Sequence, residues 1–136
     1  MYKKQFAVIL FFWILAIAVF HNIATTHYIY WRYLWTDLVV HFMSGLWIAL
    51  VGFWLCRFRR EDLYVFSMKK TFLVTIVFAV LVGVFWEVFE YAIGIVEYSS
   101  KYTNDTILDI LMDILGGATG FAVAMWYAKK LDISAD

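Results

Sequence analysis

The sequence contains no proline and only one cysteine. Without proline, a bend in a predicted helix has to come from glycine or from an inserted polar group. Cys56 has no second cysteine with which to form a disulfide or a thiolate metal site, so we interpret it as a packing residue. The sequence also lacks a glycine-rich phosphate loop and a nucleophilic serine or cysteine motif. No local motif therefore specifies a phosphate ligand or a covalent mechanism.

Charged residues are scarce and apolar residues are abundant. Of the 136 residues, 16% are charged and 65% are hydrophobic, and the mean hydropathy is +0.78. The apolar residues form runs long enough to cross a hydrocarbon core of about 30 Å. We predict an all-α integral membrane protein with one transmembrane domain, residues 1–136, built as a four-helix bundle with spans at 6–23, 37–56, 71–95 and 105–127. The segment Ala16-Ile17-Ala18 also has the form of a signal-peptide cleavage site, but we count the first run as a span.

Basic residues predict the orientation of the spans. Two of them, Arg32 and Lys101, fall on one predicted side of the membrane. The other nine fall on the opposite side: Lys3, Lys4, Arg57, Arg59, Arg60, Lys69, Lys70, Lys129 and Lys130. Basic residues collect on the cytoplasmic side of membrane proteins. We therefore predict a multi-pass protein of the inner (plasma) membrane with both termini in the cytoplasm.

Acidic residues interrupt the last three apolar runs at helical spacing. A charged side chain in the hydrocarbon costs about 2.5 to 3.5 kcal/mol, so such residues face a bundle interior or a cavity and usually mark function. Each run combines acids with glycines on one helical face. The three faces are Asp37, His41, Gly45, Ile48 and Gly52; Gly83, Glu87, Glu90 and Gly94; and Asp105, Asp109, Asp113, Gly116 or Gly117, and Gly120. The predicted topology places all of these acids in the outer half of the bundle.

Helix capping is a structural alternative for some of these acids. Asp37 and Asp105 fall at predicted helix starts, and Thr106-x-x-Asp109 has the form of a capping box. His41 alone could be an interior histidine held by a hydrogen bond. Capping does not explain Asp113, nor the two glutamates of the third run, because all three are predicted within helices.

Charge counting favours a metal. Five of the acids have only His41 as a potential cation on their own faces, and burying even two unpaired carboxylates costs several kcal/mol each. Protons or a bound ion must neutralise them. Oxygen ligands with one imidazole suit Mg²⁺, Mn²⁺, Fe²⁺ or Zn²⁺, and facing helices of a bundle can supply them. The predicted ligands of this divalent metal are Asp37, His41, Glu87, Glu90, Asp109 and Asp113.

These residues resemble a known family pattern. The pattern resembles the VanZ-like small membrane proteins in three segments: Asp37-x-x-x-His41-Phe42, Glu87-x-x-Glu90 and Asp109-x-x-x-Asp113-x-x-Gly116. The acidic residues of the last two segments make the sequence more similar to the YjdF-like relatives of that family. The sequence departs from the VanZ pattern at Leu38, where a lysine is common, and at Glu90 and Asp113, where amides are common. The resemblance covers the last three spans and implies a multi-span membrane protein with a link to the cell envelope.

We expect a metal-dependent hydrolase that acts on a lipid-linked phosphate. Glu87 and Asp113 are the predicted catalytic residues, and Arg32 is predicted to orient the substrate headgroup. Two other functions use the same acids. The protein could be a cation or proton transporter or sensor, or a scaffold whose acidic face binds a partner helix.

The expected partners are membrane lipid and a second copy of the chain, and no nucleic acid is expected. Gly116 and Gly120 form a small-xxx-small pattern that permits close helix approach. This face is the predicted contact for a homo-oligomer.

Overall fold

The computed structural model of the chain describes residues 2–58, 67–94 and 100–130. Within these ranges the regular elements are helices, in the order α1 (Tyr2–Thr26), α2 (Ile29–Arg32), α3 (Trp35–Phe53, continued by the π-helical turn Trp54–Phe58), α4 (Met68–Ala92) and α5 (Ser100–Lys130). Most of the predicted basic loop, Ile95 at the end of the third predicted span, and the acidic tail lie outside the described residues.

Among the described residues, four helices are long and apolar enough to cross a membrane, which confirms the predicted all-helical bundle of four spans. The shortest of the four stretches has 22 residues. At 1.5 Å per residue this is about 33 Å, enough for a hydrocarbon core of about 30 Å. The four stretches are Lys4–Thr26, Trp35–Cys56, Met68–Ala92 and Asn104–Lys130.

Helix ends are formed without proline. Gly94 follows α4 with φ of 73°, and its amide donates to the Tyr91 carbonyl at 3.2 Å. Glycine adopts this left-handed conformation without a steric penalty, which explains why the helix ends there. Tyr28, between α1 and α2, has φ of 58°. The end of α3 widens into a π-helical turn, a local change that needs no proline.

Glycines bring α3 and α5 into close contact. A Cβ on Gly116 would overlap the Phe42 carbonyl, and a Cβ on Gly120 would contact the Leu46 carbonyl at 2.5 Å. The contact is mutual, because a Cβ on Gly45 of α3 would overlap the backbone of Asp113 on α5. The close helix approach predicted from Gly116 and Gly120 is therefore present, but the contacting helix belongs to the same chain. This corrects the expected homo-oligomer contact, because α3 already covers that face.

Aromatic rings fill the bundle at one end. Phe121 of α5 contacts Phe53 of α3 and Phe72 of α4 with ring centroids 5.8 and 5.1 Å apart. Phe6, near the start of α1, stacks on Tyr127, near the end of α5, at 5.7 Å. The start of α1 and the end of α5 therefore lie together, at what we call the aromatic end. The opposite end, which holds α2 and the acids of α3, α4 and α5, is the acidic end.

Helix α1 is the most peripheral of the four long helices. It packs along α3, where the Trp47 indole donates to the Leu10 carbonyl at 2.8 Å. Its other side chains are largely exposed, as Phe11 and Phe12 show with more than half of their surface uncovered. Exposed apolar side chains suit a helix that faces lipid hydrocarbon.

Candidate metal centre

His41 is the central residue of the acidic end. It lies on α3 and is 4% exposed. Its Nδ1 lies 3.2 Å from Asp113 Oδ2 of α5, and its Nε2 lies 3.6 Å from Glu87 Oε1 of α4 and 4.0 Å from Asp37 Oδ1 of its own helix. One imidazole thus contacts acids from three helices, as the shared glycine-bearing faces predicted.

Two glycines create the space that Asp113 occupies. A Cβ on Gly83 of α4 would overlap Asp113 Oδ2, and Gly45 of α3 lies directly against the Asp113 backbone. Asp113 is 1% exposed. The small residues that accompany the acids in the sequence therefore allow a carboxylate to be buried between three closely packed helices.

The Asp113 contact defines the orientation of the imidazole. In neutral histidine one ring nitrogen carries the proton, and an aspartate beside Nδ1 favours the proton there, where it can be donated. The Nε2 lone pair then points away from Asp113 toward Asp37 and Glu87, which both lie within 4.0 Å of it. Metal-binding histidines usually donate their second nitrogen to such a carboxylate.

Asp109 completes a group of ligand atoms with Asp37 and His41. Asp37, His41 and Asp109 each offer one ligand atom, and these atoms lie within 4.8 Å of one another. Asp109 is 2% exposed, and its buried Oδ1 has no hydrogen-bond partner among the described residues. Ligands of a tetrahedral ion with bonds of about 2.1 Å lie about 3.4 Å apart, so a modest contraction would close this group around an ion.

The two predicted glutamates of α4 have different surroundings. Glu87 is buried, and its Oε2 accepts a 2.7 Å hydrogen bond from Thr106 of α5. Glu90 is half-buried and accepts a 2.9 Å hydrogen bond from the Trp86 indole. The structure therefore brings Glu87 to His41, whereas Glu90 lies outside the group formed by Asp37, His41 and Asp109.

The capping interpretation is wrong for α5. This helix begins at Ser100, so Thr106 and Asp109 lie beyond its first turn, and the Thr106 hydroxyl donates to Glu87 instead. Asp105 likewise lies within the helix, where it is exposed. Asp37 lies in the first turn of α3, but the N-cap residue is Leu34, which makes no side-chain hydrogen bond.

Arg32, predicted to orient a substrate, lies on α2 at the acidic end. Its side chain is exposed and its guanidinium lies 5.6 Å from the Tyr33 ring centroid. In the part of the chain that the structure describes, it forms no ion pair with the acids. Its place at this end agrees with the prediction, but the structure gives it no contact with the group around His41.

A second polar group, which no sequence motif indicated, lies beside the acids. His21 Nδ1 of α1 lies 2.8 Å from the Tyr30 hydroxyl of α2, and the His21 ring meets the Trp86 ring edge to face at 5.5 Å. Burial raises the pKa of Tyr30 well above its ordinary value, and the negative charges of Asp37 and Glu90 raise it further. The Tyr30 hydroxyl therefore stays protonated in the physiological range and can donate a hydrogen bond.

Comparison with known proteins places the chain in a family. The profile of the family described as "Predicted membrane protein (DUF2238)" matches residues 1–130, which includes all four membrane-length helices. No curated protein matches the chain, and neither does any solved structure. The finer resemblance to VanZ-like and YjdF-like proteins stays a prediction. Since the family profile matches nearly the whole chain, this protein belongs to the DUF2238 family of predicted membrane proteins.

Proposed function

We propose that the protein is an integral membrane metalloprotein that holds one divalent cation between Asp37, His41 and Asp109, with Glu87 beside them. The observation that carries the proposal is the buried Asp109 Oδ1, which has no hydrogen-bond partner in the described ranges and belongs to a compact group of ligand atoms. A buried polar atom without a partner is costly, and a cation at this point would remove that cost.

The charges around His41 also support a cation. Asp113 lies beside Nδ1, Asp37 and Glu87 lie within 4.0 Å of Nε2, and Asp109 belongs to the same group of ligand atoms as Asp37 and His41. A proton on Nε2 would add only one positive charge for three carboxylates, whereas a divalent ion adds two. Ion-pair partners from lysine or arginine are absent from this group within the described residues. One imidazole with carboxylate oxygens suits Zn²⁺, Mn²⁺, Fe²⁺ or Mg²⁺.

The proposed reaction is hydrolysis of a lipid-linked phosphate at the outer face of the membrane. A bound divalent ion would supply Lewis acidity for the phosphoryl group. Glu87, held by Thr106, would accept a proton from the water that attacks phosphorus as the bond to the lipid oxygen breaks. Asp113 would position His41 through Nδ1. Arg32 lies at the same end of the bundle and would bind the phosphate headgroup. The outward orientation rests on the basic residues, and so does the assignment to the plasma membrane.

Transport is a weaker proposal, because the described acids all lie at one end. Asp37, Glu87, Glu90, Asp105, Asp109 and Asp113 belong to the acidic end, and the aromatic end is filled by rings such as Phe53 and Phe121. A transport path needs polar groups through the whole membrane. The described part of one protomer supplies carboxylates in one half only, and the other half offers the hydroxyls of Thr71 and Thr75 without an acid.

The test is metal analysis of detergent-purified protein, with Asp109→Asn as the variant and Asp105→Asn as its control. The two aspartates lie one turn apart on α5, but Asp105 is exposed and outside the ligand group. We expect about one equivalent of metal in the wild type and in Asp105→Asn, and a loss in Asp109→Asn. A wild type without metal after incubation with Mn²⁺, Zn²⁺ and Fe²⁺ would overturn the proposal.

The reaction needs a separate assay. Phosphate release from phosphatidic acid in mixed micelles would be measured with the metal-loaded protein, and we expect Glu87→Gln to lower the rate about 100-fold or more. Metal binding without phosphate release from the wild type would leave the metal site standing and remove the hydrolase.

A further inference from the structure

A cavity of about 400 Å³ lies beside His41, between α1, α3 and α4. His41 and Asp113 form part of its wall. Toward the acidic end its lining is polar, from His21, Asn22 and Trp86. Farther in, the lining is apolar, from Ile14, Ile17, Trp47 and Ile48. The cavity is thus polar at one end and apolar along the rest of its length.

We infer that this cavity binds one acyl chain of a bilayer lipid, with the polar part of the lipid at the His21, Asn22 and Trp86 end. Ile17 and Ile14 lie four and seven residues from His21 on α1, so the apolar part reaches about 6 to 10 Å deeper along the helix. A lipid has the same arrangement, since its head lies at the interface and its chain extends into the hydrocarbon.

The cavity is open toward the surrounding lipid. Its rim includes Ala18 of α1 and Val82 of α4, both exposed, and Val82 has 38% of its surface uncovered. At the acidic end, His21 and Trp86 bring α1 and α4 together by a ring contact. Because both helices belong to the membrane-spanning set, the medium outside this rim is bilayer hydrocarbon.

The size of the cavity suits a single acyl chain better than a partner helix. An α-helix of 10 Å diameter and 5.4 Å pitch fills roughly 420 Å³ for each turn, so the cavity would hold a single turn. A methylene group needs close to the ~30 Å³ that a water molecule occupies in the liquid. About a dozen methylenes would therefore fit, which corresponds to most of one acyl chain.

A second cavity provides a comparison. It measures about 660 Å³ and lies between α1 and α3, lined by apolar side chains such as Val8, Phe12, Ala16 and Met43. Among the described residues, no titratable side chain lines it, and the indole of Trp13 is the polar group in its lining. We expect this surface to meet lipid chains with less selection of their orientation, because it lacks the histidine and amide that lie at the polar end of the first cavity.

The position of the first cavity gives the bound lipid a role. The cavity is lined by His41 and Asp113, and His41 also belongs to the group of ligand atoms with Asp37 and Asp109. A lipid bound here would hold its head next to the candidate metal centre. Its role as a substrate rests on the proposed function, whereas binding of the chain does not.

The test is photolabelling in lipid nanodiscs with a phospholipid that carries a diazirine in its acyl chain. Labelled peptides are mapped by mass spectrometry in the wild type, in Ala18→Phe and in Ala16→Phe. Ala18→Phe fills the first cavity, and the matched change two residues away fills the second. We expect labelling of Ile14 and Val82, which line the first cavity and are absent from the lining of the second, to fall about fivefold or more in Ala18→Phe and to stay near wild type in Ala16→Phe.

Equal labelling of these residues in Ala18→Phe and Ala16→Phe would overturn the inference. A second variant, Val82→Trp, blocks the cavity from α4, and it must lower the labelling of the cavity as Ala18→Phe does. The metal content of each variant separates this inference from the proposed function. Cavity labelling in a protein that holds no metal would keep the lipid site and reject the metalloprotein. A protein that retains metal but shows no selective labelling of the cavity would keep the metalloprotein and reject the lipid site.

Discussion

The two ends of the bundle are held together by different contacts. At the aromatic end, Phe121 joins α3 and α4 through rings 5.8 and 5.1 Å away. At the acidic end, the His41 imidazole of α3 joins α5 and α4 through carboxylates at 3.2 and 3.6 Å. Lipid tails are as apolar as phenylalanine or leucine, so apolar contact alone gives a membrane helix little reason to prefer a neighbour. The acidic end supplies polar contacts that lipid cannot replace.

Close backbone packing is common to both ends. Gly45 and Gly116 at the acidic side, and Gly120 farther along, place α3 and α5 backbones in contact. Such contact lets small residues gain dispersion energy that larger side chains would prevent. The ends therefore differ in side-chain chemistry and share one backbone arrangement, and the predictions below separate these two contributions.

The largest effect should come from the shared backbone contact. Gly116→Ala places a methyl group into the Phe42 carbonyl, and backbone cannot move aside cheaply. Its neighbour provides the control, because the tightest contact of Gly117→Ala is with the far end of the Ile76 side chain at 3.1 Å, and its other contacts, at 3.6 and 3.9 Å, are ordinary van der Waals distances. We expect a loss of about 3 kcal/mol for the first change and less than about 1 kcal/mol for the second, measured by unfolding in detergent. Equal losses would show that the α3 and α5 contact is looser than described.

The next effect concerns the acidic end alone. Asp113→Asn removes the charge-assisted contact with His41 Nδ1 while the side chain keeps its size. Removal of such an orienting carboxylate lowers metal affinity about 10- to 100-fold, and we expect a change of this size by competition with a chelator. Asp105→Asn should leave the affinity at the wild-type value. Unchanged affinity in Asp113→Asn would mean that His41 is oriented without it.

Asp109→Asn should stabilise the metal-free protein, whereas Asp113→Asn should destabilise it. The change removes a buried carboxylate whose Oδ1 has no hydrogen-bond partner among the described residues. In the metal-free protein we expect a gain of about 1 kcal/mol in the free energy of unfolding, because a buried unpaired charge is lost. Asp113→Asn should reduce stability under the same conditions, since it breaks an existing pair. A loss in both variants would indicate that Asp109 is already neutralised without metal.

Local spacing was enough to predict four spans and the residues that share their polar faces. Apolar runs of membrane length can be read directly from the sequence. One helical turn separates His41 from Gly45 and Asp109 from Asp113, so each pair shares a helical face. Spacing also predicted close packing at Gly116 and Gly120. It could not say that the neighbour is α3 of the same chain, because a small-residue pattern does not specify its partner.

Contacts between helices lay beyond that prediction. The start of α5 at Ser100 precedes its apolar periodicity, so the span predicted from the sequence begins only at Asp105. The pairing of Thr106 with Glu87, and of His21 with Tyr30, depends on how each helix is rotated about its axis. Which imidazole nitrogen meets Asp113 depends on the side-chain torsions of His41. None of these quantities is encoded in residue spacing.

The smallest expected effect lies at the edge of the acidic end and appears at alkaline pH. Burial raises the pKa of Tyr30 above its ordinary value of 10.0, and Asp37 and Glu90 add to the shift. The folded protein then keeps the Tyr30 proton at pH values where the unfolded chain releases it. This contribution to stability is complete below pH 10 and is lost as pH rises above 10 through the pKa of the folded state.

We expect Tyr30→Phe to weaken the decline of thermal stability above pH 10, while Tyr33→Phe, a change at an exposed tyrosine, leaves the decline unchanged. An identical decline in Tyr30→Phe and wild type would show that the Tyr30 hydroxyl does not sense the acids.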